Sequence, residues 1–231
     1  MSWTESQNDV QSAMKTPGEI VEATAAYVRQ TLAADSSGHD WWHVERVWKN
    51  ALRIGGEEGA DMQVVALAAL LHDIADWKFH GGDESVGPRR ARDWLTSQGV
   101  APATIDEVCH IVAHLSFKGA GVANELQSLA GQVVQDADRL DAIGAIGVAR
   151  AFAYGGHAGR AMHDPSIEPE RHDSFEAYKK NSGPTINHFY EKLLLLKDRM
   201  NTATGRRLAA ERDRYMREFL QRFLDEWNVK C

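Results

Sequence analysis

The chain has 231 residues, 43% of them hydrophobic and 26% charged, with 26 Lys and Arg against 33 Asp and Glu for a net charge of -7. That balance excludes a disordered or low-complexity chain, and it argues against a polymeric nucleic acid as the main partner. No apolar run approaches the ~18 residues of a membrane-spanning helix, since the longest, Val64 to Leu71, stops at His72 and Asp73.

Residues 1–16 are polar and read as a flexible N-terminal segment without a secretory signal, so a cytoplasmic location is expected. Cys109 and Cys231 have no CxxC spacing and are expected to be free thiols.

From Pro17 to Ala34, Ile20, Ala23, Tyr27, Val28 and Thr31 fall on one helical stripe. Asp40 can cap a second helix carrying Val44, Val47, Trp48, Ala51 and Ile54, ending near Gly55 and Gly56. Residues Asp61 to Ala75 are apolar almost all round, the mark of a central helix. Trp77 to Pro88 has the Gly, Pro and Asp content of a loop, and Arg89 to Gln98 reads as helix.

Pro102 starts a helix expected to reach Phe117, and Asn124 to Ala151 reads as one helix around Gly144 and Gly147. A loop from Gly155 to Arg171 is the expected mobile element. Helices over Pro184 to Met200 and Thr204 to Trp227 complete the chain, the last with Met216, Phe219, Leu220, Phe223, Leu224 and Trp227 as its buried face. These elements predict one all-α domain over residues 17–231, with no linker to divide it.

Four His-Asp pairs occur: His39-Asp40, His72-Asp73, His163-Asp164 and His172-Asp173. Only His72-Asp73 ends a strongly apolar helix, where two polar side chains are costly unless hydrogen-bonded or bound to something. The other three sit where caps and turns explain them. Adjacent imidazole and carboxylate groups offer nitrogen and oxygen to one cation. His43, beside apolar Val44 and Val47, and the aspartates of VVQDADRLDAIGAIG are further candidates, with Asp136, Asp138 and Asp141 all available.

Read together, HVERV at His43, ALLHDIAD at His72 and Asp73, and QDADRLDA at Asp138 resemble the H...HD...D signature of the HD-domain superfamily of metal-dependent phosphohydrolases. HDWWH, HDIADWKF, SFKG and ADRLDAIGAIG are similar to the bacterial branch associated with nucleotide pyrophosphohydrolysis. The resemblance covers residues from about Asp40 to Arg150 and implies a compact multi-helix bundle closed by helices in 184–228. It also implies one divalent metal held by His43, His72, Asp73 and Asp138, the ADRL pattern selecting Asp138. Asp141, nearly one turn further, reads as a partner of the metal ligands or of Arg139.

Two nitrogens and two carboxylates leave positions open on a six-coordinate ion, which suits Mn, Mg, Co, Ni or Fe, with Mn or Mg preferred over a closed structural zinc. Asp76 follows His72 by four residues and shares its face if the helix persists; the resemblance implies that it handles water or its proton. Lys78, Lys118 and His114, the last spaced i, i+4 from His110, are candidates to hold phosphate. The expected activity is hydrolysis of a phosphoester or phosphoanhydride bond in a nucleotide-like molecule, most specifically nucleoside triphosphate pyrophosphohydrolysis. The alternatives are a di-iron oxygenase, which would recruit His80, His110 or His114, and a non-catalytic nucleotide sensor. Base, sugar, phosphate number and oligomeric state are not encoded legibly.

Overall fold

The computed structural model describes residues 15–33, 40–75, 83–115, 125–170 and 183–230. Among the described residues there are nine α-helices and one 3-10 helix, and no strand. No described helix is long and apolar enough to cross a membrane.

Helix α1 (Pro17–Thr31) begins in a capping box, in which Thr16 accepts from the Glu19 amide while Glu19 reaches back to the Thr16 amide. Its buried residues are Ile20, Thr24 and Val28, so Thr24 replaces the expected Ala23 and Thr31 on the inner stripe. Tyr27 stacks on Trp94 at 4.1 Å, and the Trp94 indole donates to Thr24 at 2.9 Å. This polar link explains why a threonine faces inward.

Helix α2 (Trp41–Glu58) is capped by Asp40, whose Oδ1 accepts from the His43 amide at 2.9 Å. It runs past Gly55 and Gly56, because Gly55 lies against Met62 and Val65 where small size is needed, and it ends at Gly59 with φ 73°. Helix α3 (Met62–Leu71) is buried from Val64 to Leu71 and packs against α1, α2, α5 and α6. It stops before His72 and not at Ala75. The Ile74 amide bonds back to Leu71, three residues away, which tightens the last turn and puts His72 and Asp73 in it.

Helix α4 (Val86–Ser97) starts earlier than Arg89, because Pro88 sits in the first turn where a missing amide costs nothing. It packs against α5 (Pro102–His114). The expected single helix over Asn124 to Ala151 is two, α6 (Leu129–Asp141) and α7 (Gly144–His157). Gly144 has φ 77°, and a Cβ there would meet the Arg212 side chain at 3.0 Å. Helix α7 carries on to His157, into the stretch expected to be loop.

The Pro184 to Met200 segment likewise divides into α8 (Thr185–Glu191) and a 3-10 helix (Leu193–Arg199). Helix α9 (Ala203–Trp227) lies on α2, α6 and α7. Met216 and Leu220 are buried in it, while Trp227 is 43% exposed and leans on Phe223 and His163.

Asp136 anchors the start of α9 from inside α6. Fully buried, it accepts from the Asn201 amide at 2.8 Å and from the Thr202 amide and hydroxyl at 2.8 Å each. Burial is the largest influence on its carboxyl and outweighs these donors, so its pKa lies above the ordinary value. Asp136→Ala strands these donors and should destabilise the fold by about 2–4 kcal/mol. Chemical denaturation measures that loss, and metal content per folded molecule should stay unchanged.

Candidate metal centre

His43 comes from the first turn of α2 and His72 and Asp73 from the turn ending α3, the two helices being packed side by side. Both histidines are buried, at 1% and 8% exposure. His72 Nδ1 donates to the Ala69 carbonyl at 2.8 Å, and His43 Nδ1 faces Asp141 Oδ2 at 2.7 Å. Arg150 Nη1 also lies 2.9 Å from His43 Nδ1, but the Asp141 carboxylate is nearer and can only accept. With Nδ1 therefore carrying the proton in each neutral ring, Nε2 is left as the lone-pair donor.

The two Nε2 atoms are 3.3 Å apart, and each lies 3.3 Å from Asp73 Oδ2. The three donors therefore form an equilateral triangle. Ligands bound to one cation at ~2.1 Å and separated by ~90–109° lie about 3.0–3.4 Å from one another. The residues thus fit a metal both in donor chemistry and in spacing. Among the described residues this is the one cluster of three or more His, Cys, Asp or Glu able to hold an ion.

Asp138, on the face of α6 turned towards α2, places Oδ1 3.6 Å from His43 Nε2 and is about a third exposed. Asp136 points elsewhere, into the α9 anchor. Asp141 does not pair with Arg139, whose guanidinium instead donates to the Arg199 carbonyl. It accepts from His43, from Arg46 Nε at 2.7 Å and Nη2 at 3.0 Å, and from Arg150 Nη1. Neither arginine stood out in the sequence. Arg46 carried a signal nonetheless, lying three residues from His43 on the same helix face.

The electrostatics follow from this packing. Burial is the largest influence on His72 and opposes its charge, but the adjacent Asp73 carboxylate overcomes it and, with Asp138, raises the imidazole to about 9. His43 is also raised, the hydrogen bonds to Asp141 and Asp73 outweighing burial. Burial pushes the Asp141 carboxyl up, yet His43 and the arginines more than reverse this and hold it far below the ordinary range.

Asp76, Lys78 and Lys118 lie outside the described residues, as do His80, His39, His172 and Asp173. The expectation for Asp76 depends on the helix persisting past His72; among the described residues α3 ends at Leu71 and 72–75 are not helical. His114 ends α5, donating from Nδ1 to the His110 carbonyl at 2.7 Å and pairing through Nε2 with Glu125 at 3.1 Å. It lines a surface groove of about 440 Å³ with Arg89, Arg92 and Cys109. Of the other His-Asp pairs, Asp40 is the α2 cap, and Asp164 accepts from the Ser166 amide and hydroxyl in a turn.

The family model described as HD domain matches residues 41–143. YpgQ from Bacillus subtilis is 41% identical over 201 residues, covering 87% of this chain and 90% of that protein. Its structure in complex with ADP superposes with a TM-score of 0.68 at 33% identity, over 89% of this chain and 96% of that one. An HD-superfamily hydrolase from Bacillus thuringiensis superposes with a TM-score of 0.74 at 43% identity, over 92% of this chain and 99% of the other. A protein from Lactobacillus plantarum superposes with a TM-score of 0.79 at 41% identity, over 94% and 100%. With two imidazoles and a carboxylate converging from the expected blocks, and relatives matching along nearly the whole chain, this protein belongs to the HD-superfamily hydrolases.

Proposed function

We propose that the protein is a divalent-metal-dependent phosphohydrolase acting on a nucleotide-like small molecule, most specifically a nucleoside triphosphate pyrophosphohydrolase. The donor triangle of His43, His72 and Asp73 carries this reading, with Asp138 as fourth ligand. The ADP bound by YpgQ supports a nucleotide as the class of substrate. When bound, a cation such as Mn or Mg supplies a Lewis acid that acidifies water and polarises a phosphoryl oxygen.

In this reading the chain's own groups do the rest. The Asp76 carboxylate takes the proton of the attacking water as the P–O bond to the leaving phosphate chain breaks. Lys78 and Lys118 hold phosphate oxygens. His114 is the third phosphate contact, and a phosphate arriving there displaces Glu125 from Nε2. The di-iron alternative gains no support, because His110 and His114, their rings tilted by 38° at 4.3 Å, form no second cluster among the described residues.

The deciding experiment screens nucleoside mono-, di- and triphosphates with Mn, Mg, Co and Ni, and uses phosphorus NMR to identify phosphate or pyrophosphate as product. Pyrophosphate release from triphosphates is expected; turnover of none of them with any metal would sink the reading. His72→Ala, Asp73→Ala and Asp138→Ala should each lose stoichiometric metal, measured by elemental analysis, while remaining folded by circular dichroism.

Protons and metal compete for His72. Its folded pKa of about 9 lies above the ordinary 6.5, so in metal-free protein its charge stabilises the fold below about 6.5, and this contribution is lost as pH rises through 9. Metal binding has the opposite slope, strengthening up to tenfold per pH unit for each proton displaced. The rise in melting temperature caused by added Mn should therefore grow from pH 6.5 to 9, as thermal melts at matched ionic strength will show.

Asp76→Ala should keep its metal and lower kcat by about 10² to 10⁴, the range of a lost general acid or base. Lys78→Ala should instead raise KM with less effect on kcat, if its phosphate contact is equally strong in ground and transition states. Steady-state kinetics on metal-loaded enzyme separates the two.

A further inference from the structure

The two histidines of the centre are oriented by different means. His72 leans on a neutral carbonyl of its own helix, Ala69, so its direction is settled locally as soon as α3 forms. His43 leans on an anion from another helix, Asp141, and its direction depends on how α2 meets α6. Asp141 is 1% exposed, and both its oxygens are occupied by the planar fork of Arg46, with Arg150 of α7 on Oδ2. Such a fork fixes the plane of the carboxylate as well as its charge.

The spacing interlocks the two helices. His43 and Arg46 are three apart on α2, and Asp138 and Asp141 are three apart on α6, so each helix offers one residue to the cluster and one to the other helix's partner. An imidazole has two nitrogens, and holding Nδ1 at 2.7 Å decides that Nε2 faces Asp73 and His72.

We infer that Asp141 is a positioning residue of the metal centre, clamped by Arg46 and Arg150 so that it holds the His43 ring with Nε2 towards the cation. This rests on the metal reading of the cluster. Asp141 touches neither substrate nor metal; it acts through His43. A carboxylate behind a metal-binding imidazole also makes that ring a stronger donor, and losing such a partner weakens metal affinity about 10- to 100-fold.

The test is the Mn affinity of the full chain by titration calorimetry. Asp141→Asn should bind Mn about 10- to 100-fold more weakly, and Arg46→Lys, which keeps the charge but loses the fork, by a smaller factor of about 3 to 10. Asp213→Asn is the control: this buried aspartate pairs with Arg217 at 2.8 Å within α9, so its loss should lower the melting temperature and leave Mn affinity unchanged. In the Mg-loaded protein, proton NMR should show a far-downfield His43 Nδ1–H in the wild type that shifts upfield or vanishes in Asp141→Asn.

Wild-type Mn affinity in both Asp141→Asn and Arg46→Lys would overturn the inference while leaving the metal site intact. If Asp141→Asn does not fold, Arg46→Lys alone decides, and wild-type affinity there overturns the clamp. A wild-type chain that takes up no stoichiometric Mn, Mg, Co or Ni would overturn the metal reading and this inference with it.

Discussion

Burying a carboxylate as completely as Asp141 is buried costs several kcal/mol unless charged donors replace water, and here those donors come from helices other than its own. Arg46 and His43 arrive from α2 and Arg150 from α7, so the ion cluster forms only when three helices have docked. A slide of α2 along α6 by one turn, about 5.4 Å, would strand the carboxylate and both arginines together. The cluster therefore ties the relative placement of α2 and α6 to the assembly of the donor triangle beside it. Helix α3 needs no such device, because its surface, apolar all round from Val64 to Leu71, already forces it to the centre.

The helices were legible wherever an apolar stripe or a cap was local. Asp40 before α2, Pro102 at α5 and the apolar stretch Val64 to Leu71 each act within a few residues. The break between α6 and α7 was not, since periodicity continues across it. Helix α6 ends at Asp141, Ile143 is extended at φ -125° and ψ 168°, and the chain turns through Gly144 at φ 77°, where the Arg212 side chain packs on it from α9. A glycine between two apolar stretches can serve a straight helix or a corner, and the neighbour that decides lies far along the chain. The inward face of α1 was misread for a similar reason, because Thr24 is held inside by Trp94 from α4.

The site divides along the same line. His72 and Asp73 were legible because two polar residues at the end of a buried helix demand compensation. Choosing among Asp136, Asp138 and Asp141 needed the family pattern, since all three occupy α6 and two of them are more deeply buried than Asp138. Burial alone would have pointed to Asp136 and Asp141, neither of which offers an oxygen to the triangle of His43 Nε2, His72 Nε2 and Asp73 Oδ2. Asp136 is spent on the backbone of Asn201 and Thr202 and Asp141 on three cationic or donor groups, whereas Asp138 is about a third exposed and directed at His43.

This division of labour also bears on charge. The described cluster sets two carboxylates, Asp73 and Asp138, next to two imidazoles, and the nearby arginines are already committed to Asp141. An anionic phosphate chain approaching such a site meets two carboxylates, and the positive charge beside them, on His72 above all, is already paired with Asp73. A divalent cation would reverse the local sign, so the proposed metal serves attraction as much as chemistry, and the phosphates it does not contact need cations from elsewhere. In the sequence Lys78 follows the end of α3 and Lys118 follows the end of α5, which packs on α3. An acidic protein with a net charge of -7 can thus take an anionic substrate only through a local arrangement of this kind, which makes metal occupancy a condition of substrate binding in the proposed reading.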